Sequence, residues 1–166
     1  MAPETQQLFD AIEDDKLADI EKLIPDADLT AIYETSPSCS RAPCQPLHAA
    51  TVMNNVVGVK KLVDGGAPLE GQDKKKRTPL HLAATLPGYE GMIQELVDLG
   101  AALDPINAAG VTPLYLAITE GNVESCKVLL ASGADPNSKN AKGQTALQVI
   151  VFILFENSEI VSMYIP

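Results

Sequence analysis

Positive charge is scarce in this chain of 166 residues, which has 12 Lys and Arg against 22 Asp and Glu and a formal net charge of -10. Nucleic-acid binding needs clustered positive charge, and most of this surface would repel phosphates, so we expect no nucleic-acid partner. Residues 1–34 are the most acidic part, with ten Asp and Glu against Lys16 and Lys22. This excess fits either a solvated terminal face or a docking face for a basic partner.

Cysteine and long apolar runs are also scarce. Three cysteines are an odd number, which argues against a disulfide framework and favours a reducing compartment. The opening MAPETQQLFDAIEDD lacks the basic start and apolar core of a signal peptide. The apolar run ALQVIVFILF (146–155) falls short of the roughly 20 residues that a membrane span needs. We therefore expect a cytoplasmic or nuclear protein that binds no membrane.

Catalytic sequence patterns are absent as well. The chain contains no nucleophile elbow, no phosphate-binding glycine loop and no HExxH motif. Cys39, Cys44 and His48 are spaced loosely like zinc ligands, but no fourth ligand lies nearby in the sequence. We therefore expect no enzyme activity, no cofactor and no metal site.

What the sequence does contain is an internal repeat. Four related phrases recur at intervals of 33, 34 and 33 residues: QPLHAA (45–50), TPLHLA (78–83), TPLYLA (112–117) and TALQVI (145–150). A second motif keeps the same register: GGAPL (65–69), GAALD (100–104) and GADPN (133–137). Two motifs in register at a fixed period indicate a repeat architecture, in which each unit buries its apolar side against its neighbours.

Each unit is predicted to form two short helices. Thr78 and Thr112 are suited to cap a first helix, and a proline follows each at the first helical position. An amphipathic second helix follows, as in VESCKVLLASG (123–133). The polar stretch before the next unit predicts a hairpin-like turn. Left-handed glycine caps are expected to stop the second helices at Gly66, Gly100 and Gly133.

This unit resembles the ankyrin repeat, and RTPLHLAA (77–84) and GNVESCKVLLASGADPNSKNAKGQTAL (121–147) carry the resemblance. It implies an all-α ankyrin-repeat solenoid of about five stacked helix-turn-helix units with β-hairpin-like finger loops. We expect a single domain over 1–166, in which the first and last units are atypical. The expected units are approximately 8–44, 45–77, 78–111, 112–144 and 145–166.

Three places depart from the family's pattern. Residues 25–44 enlarge the loop of the first unit, which is either tolerated surface or a partner-specific contact. Lys76 stands where other fingers carry Gly110 and Gly143, so we expect a distorted turn there. The apolar final helix within 145–166 lacks a polar outer side. Either the chain has been cut short, or a partner or self-association covers this end, or the helix is shifted.

Two histidines fall in the Leu-His position of the repeat, His48 and His81. The resemblance implies that they hydrogen-bond the backbone of neighbouring loops rather than take part in catalysis. Tyr115 and Gln148 occupy the same position in later units, so no chemistry demands an imidazole there.

The resemblance implies a non-enzymatic module that binds a partner protein or peptide segment in a concave groove, as an adaptor, inhibitor or assembly chaperone. The alternative is the ankyrin fragment of a larger protein, such as an effector or regulatory enzyme whose catalytic part is missing. Met53 and Leu86 are expected to be apolar anchors, with Lys74, Lys75 and Arg77 steering acidic residues of the partner. The full set of expected contact residues is Glu13, Asp14, Arg41, Val52, Met53, Lys74, Lys75, Arg77, Thr85, Leu86, Ala108, Ala109, Val111, Tyr115, Thr119, Glu120, Lys142, Gln144, Phe152 and Ile153.

Overall fold

The computed structural model describes residues 3–31 and 44–148, which form successive pairs of short helices. The first helices of the pairs are α1 (Pro3–Glu13), α3 (Pro46–Val52), α5 (Pro79–Thr85) and α7 (Pro113–Thr119). The second helices are α2 (Leu17–Leu23), α4 (Val56–Asp64), α6 (Glu90–Asp98) and α8 (Val123–Ala131). A 3-10 helix, Ile24–Asp26, follows α2, and a further helical turn begins at Ala146.

The helices are arranged in two layers. In the inner layer α1, α3, α5 and α7 contact one another in chain order, and in the outer layer α2, α4, α6 and α8 do the same. One buried apolar cluster runs through all four pairs, and it includes Phe9, Leu47, Leu80, Leu114 and Leu129. A core shared by every pair confirms the predicted all-α solenoid over the described residues.

The N-terminal ends of α5 and α7 follow the predicted capping chemistry. The backbone N–H of Tyr115 donates to Oγ1 of Thr112 at 3.3 Å. At the start of α5, Nδ1 of His81 accepts from the backbone N–H of Thr78 at 3.1 Å, and Oγ1 of Thr78 lies 3.0 Å from the same nitrogen. These bonds satisfy groups that a helix start leaves without partners inside the helix.

The second helices α4, α6 and α8 are each followed by a glycine in the left-handed conformation. The φ angles are 97° at Gly66, 95° at Gly100 and 100° at Gly133. Glycine adopts these angles without the clash that a side chain would introduce. The predicted stops are therefore confirmed.

The finger turn at Lys76 is not distorted, so the expectation from its sequence was wrong. The backbone N–H of Lys76 donates to the carbonyl of Asp73 at 2.8 Å, and Gly110 and Gly143 make the same bond in their own fingers at 2.9 Å. Lys76 forms this turn with a φ of 55°, beside 73° and 77° for the two glycines. The lysine accepts a left-handed conformation that costs an L-residue about 1 kcal/mol or more.

Replacing Lys76 by glycine should raise the free energy of unfolding by about 0.5–1 kcal/mol, because the relieved strain exceeds the freedom added to the unfolded chain. Lys75→Gly is the matched control, since it removes the neighbouring lysine at a position without a positive φ. It should lower the free energy of unfolding by a similar amount. Urea unfolding followed by circular dichroism measures both, and a loss in both variants would contradict the conformation assigned to Lys76.

Candidate protein-binding face

Side chains of the inner helices hold the finger loops in place. Nε2 of His48 lies 2.9 Å from the carbonyl oxygen of Arg77, and Nε2 of His81 lies 3.1 Å from that of Val111. Each histidine therefore reaches the finger that follows its own helix pair. The predicted scaffold role of both histidines is confirmed.

The third finger is held without an imidazole. Tyr115 occupies the histidine position, and its hydroxyl oxygen accepts from Nδ2 of Asn140 at 2.9 Å. The histidines contact a backbone carbonyl of the next finger through a ring nitrogen. The tyrosine hydroxyl instead contacts an amide side chain of the next finger. This explains why the sequence can exchange histidine for tyrosine here.

The three fingers are built by one repeated turn, and we call them F1 (72–77), F2 (106–111) and F3 (139–144). The turns open at Asp73, Asn107 and Asn140, whose backbone N–H groups donate to the carbonyls four residues later at 3.0, 3.1 and 2.9 Å. Oδ1 of the same residue accepts from the backbone N–H groups two and four residues later, at 2.8–3.3 Å. The side-chain oxygen thus accepts backbone hydrogen bonds that a neighbouring strand would accept in a β-hairpin.

The fingers stand side by side in contact. The backbone N–H of Ala108 in F2 donates to the carbonyl of Lys75 in F1 at 2.9 Å. F2 and F3 also meet closely, since a Cβ added to Gly110 would lie 3.0 Å from the backbone nitrogen of Ala141. We call the three fingers, together with the C-terminal ends of α3, α5 and α7, the finger face.

The family model described as Ankyrin repeats (3 copies) matches residues 8–107, 47–140 and 86–163, and these matches overlap along most of the chain. The chain belongs to the ankyrin repeat family. Ankyrin repeats are generally protein–protein interaction modules and are typically non-catalytic. A search of the curated proteins found none that matches this chain.

The described ankyrin units place most of the predicted contact residues at least partly at the surface. Met53, at the C-terminal cap of α3, is 43% exposed, and Leu86, at the cap of α5, is partly buried. The other exposed members are Asp14, Lys74, Lys75, Ala108, Ala109, Glu120 and Lys142. The other partly buried members are Glu13, Val52, Arg77, Thr85, Thr119 and Gln144. Arg41, Phe152 and Ile153 lie outside the described residues.

Two of the predicted contact residues are buried, and the prediction is wrong for their side chains. Val111 and Tyr115 are each only 6% exposed. They form a second apolar cluster with Ala146. The helical turn that begins at Ala146 packs against them, so these side chains support the stack rather than face a partner.

Arg77 is ion-paired within its own finger. Its Nε and Nη2 atoms each lie 2.7 Å from Oδ2 of Asp73, whose side chain is 2% exposed. Burial opposes ionisation of Asp73, but hydrogen bonds from the backbone and guanidinium of Arg77 and from the backbone of Lys75 lower its pKa overall. Asp73 was missed in the sequence, although Asp or Asn recurs at 73, 107 and 140 in register with the repeat.

Two substitutions of Asp73 should distinguish the contribution of the turn to stability from that of the ion pair. Asp73→Asn should lower the free energy of unfolding by about 1 kcal/mol, because an amide oxygen maintains the same turn in F2 and F3. Asp73→Ala should lower it by about 2–3 kcal/mol, because it also leaves the finger amides and the Arg77 guanidinium without their acceptor. Urea unfolding measures both losses, and equal losses would contradict the turn described above.

The two histidines are held in the neutral form. Burial lowers the pKa of His48 and of His81 from the usual value of 6.5, although nearby carbonyls partly oppose the shift. Unfolding therefore takes up protons. The contribution of the two neutral histidines to the free energy of unfolding is complete above about pH 6.5. It is lost as the pH falls from there through the lower pKa values of the folded state.

The free energy of unfolding should accordingly decrease between pH 7.5 and pH 5.5, above the range in which Asp73 titrates. The double variant His48→Gln/His81→Gln should show a shallower decrease. Glutamine is a matched replacement, because Oε1 of Gln148 accepts from the backbone N–H of Thr145 at 2.9 Å in the same position of the last unit. Urea unfolding at several pH values is the measurement, and an unchanged pH dependence in the variant would refute the assignment.

Of the three loosely zinc-like residues Cys39, Cys44 and His48, Cys39 lies outside the described residues. Cys44 is disulfide-bonded, which the odd cysteine count argued against, and Nε2 of His48 already contacts Arg77. Over residues 3–31 and 44–148, no group of three or more His, Cys, Asp or Glu side chains is arranged to hold a metal ion. In the same ranges no helix combines the length and apolar character needed to cross a bilayer.

Proposed function

We propose that this ankyrin-repeat chain is a non-enzymatic module that binds a partner protein or peptide segment on its finger face, as an adaptor, inhibitor or assembly chaperone. The observation that carries the proposal is the exposure of apolar side chains at the C-terminal ends of the inner helices α3 and α5. Met53 is 43% exposed at the end of α3, and Leu86 is partly exposed at the equivalent end of α5. Burial of such apolar surface against a partner contributes about 25 cal/mol of favourable free energy per Å².

The two apolar ends lie beside each other because α3 and α5 are neighbours in the inner layer. The hydroxyl of Tyr89, after α5, donates to the carbonyl of Val52 at the end of α3. This bond ties the chain that follows Leu86 to the end of the preceding helix. A partner would therefore meet a preorganised apolar strip, which reduces the entropy lost on binding.

The outer layer also exposes apolar side chains, but they are dispersed. Val57 lies on α4, whereas Val123 and Leu130 lie on α8, and α6 packs between these two helices. Isolated exposed apolar residues are ordinary on protein surfaces and do not mark a binding site. The finger face is therefore the better candidate.

A photoreactive amino acid introduced at Met53 should cross-link to a partner protein that mass spectrometry can identify. The same group at Leu130, which is 46% exposed on α8, should not capture that partner. Equal capture at both positions would contradict binding at the finger face.

With the partner identified, Met53→Glu/Leu86→Glu should weaken its binding by about tenfold or more, because two charges replace apolar contacts. The matched control Val57→Glu/Leu130→Glu places two charges on the outer layer and should change the affinity less than about twofold. Titration calorimetry measures the affinities, and circular dichroism checks that all variants keep their helices. Unchanged affinity in the finger-face variant would refute the proposal.

A further inference from the structure

The fingers carry a net positive charge, whereas the rest of the chain is net negative. F1, F2 and F3 contain six of the chain's 12 Lys and Arg residues but only one of its 22 Asp and Glu residues. That one acid, Asp73, is ion-paired with Arg77 at 2.7 Å. The five finger lysines, all exposed, are Lys74, Lys75 and Lys76 on F1 and Lys139 and Lys142 on F3.

Two of the acids that precede the fingers bond the backbone of the next unit. Oε1 of Glu70 accepts from the backbone N–H of Ala102 at 2.8 Å, and Oδ1 of Asp104 accepts from that of Asp135 at 3.1 Å. Both bonds tie one unit to the next. The net charge of the chain is -10, but the finger row is a net positive surface, and it can therefore attract an anionic segment.

The conformation of Lys76 also points to a function of this charge. The other two fingers place glycine at this position, where the backbone is left-handed. F1 instead places a third consecutive lysine there, at a cost of about 1 kcal/mol or more. Backbone strain of this kind is found preferentially where a side chain has a functional role.

The middle finger differs from its neighbours. F2 has no charged residue and exposes Ile106 (60%), Ala108 and Ala109. Because F2 contacts both F1 and F3, the row presents basic, apolar and basic surface in order. A ligand of uniform negative charge, such as a nucleic acid, would leave the apolar centre without a matching group.

We infer that the finger row binds an extended acidic–apolar–acidic segment of a partner protein. Neighbouring packed helices are about 8–10 Å apart, so F1 and F3 are separated by about 20 Å. An extended chain covers this distance in about six residues. The acidic groups of the segment would therefore flank about six residues that include apolar side chains. This inference rests on the proposed function and adds the chemistry of the partner.

The test uses the full chain and a fluorescent peptide of about twelve residues, with three glutamates at each end and two leucines among the six central residues. A second peptide of the same composition has its glutamates together in the centre and its leucines at the ends. Fluorescence anisotropy should show about tenfold tighter binding of the first peptide. Equal affinities, or no binding of either peptide, would overturn the inference.

Matched variants locate the binding surface. Lys75→Gln/Lys142→Gln should weaken binding of the first peptide by about tenfold, because it removes one cation from each basic finger. Lys22→Gln/Lys127→Gln changes the net charge equally but lies on α2 and α8, and it should weaken binding less than about twofold. Equal losses in the two variants would show attraction that is not specific to the fingers and would overturn the inference.

A single-stranded DNA of similar charge tests the competing class of ligand, and tighter binding of this DNA than of the first peptide would overturn the inference. The peptide result is independent of the cross-linking result at Met53. If the first peptide does not bind but a partner still cross-links at Met53, only the acidic–apolar–acidic pattern is overturned. Loss of cross-linking would instead overturn the proposed function.

Discussion

Burial of apolar side chains between successive helix pairs is the constraint on which the whole structure depends. The inner helices α3, α5 and α7 have seven residues each, and the outer helices α4, α6 and α8 have nine. Isolated helices shorter than about 12–15 residues are marginal in water. Their stability must therefore come from the shared core through Leu47, Leu80 and Leu114. A single helix pair therefore lacks the core that it would need to fold alone.

The finger face follows from this stack. The helices lie in register, so α3, α5 and α7 each place one side chain against the finger that follows. These side chains are His48, His81 and Tyr115. The fingers also contact one another and close through the same polar turn. The proposed binding residues are thus placed on loops that the helical core holds in position, which would lower the entropic cost of capturing a flexible partner.

Local features were predictable wherever a residue acts on its own backbone or on that of its immediate neighbours. Caps at Thr78 and Thr112, and left-handed stops at the glycines after the second helices, depend only on neighbouring residues. Lys76 shows the limit of this reasoning, since the pattern indicated a distorted turn and the structure keeps the regular one. The hydrogen bonds of Asp73 hold that turn and outweigh the strain of one left-handed lysine.

The sequence by itself determined the repeat, its period and the helical pairs, because periodic apolar positions and capping residues act over a few residues. The scaffold role of His48 and His81 followed from the family resemblance, because their bonds reach residues 29 and 30 positions away. Only the tertiary structure decided which side chains remain available to a partner. Arg77 is used by Asp73, and Val111 is covered once the turn at Ala146 packs against it. Burial and ion pairing depend on what neighbouring units bring close in space, and residue type alone does not determine that.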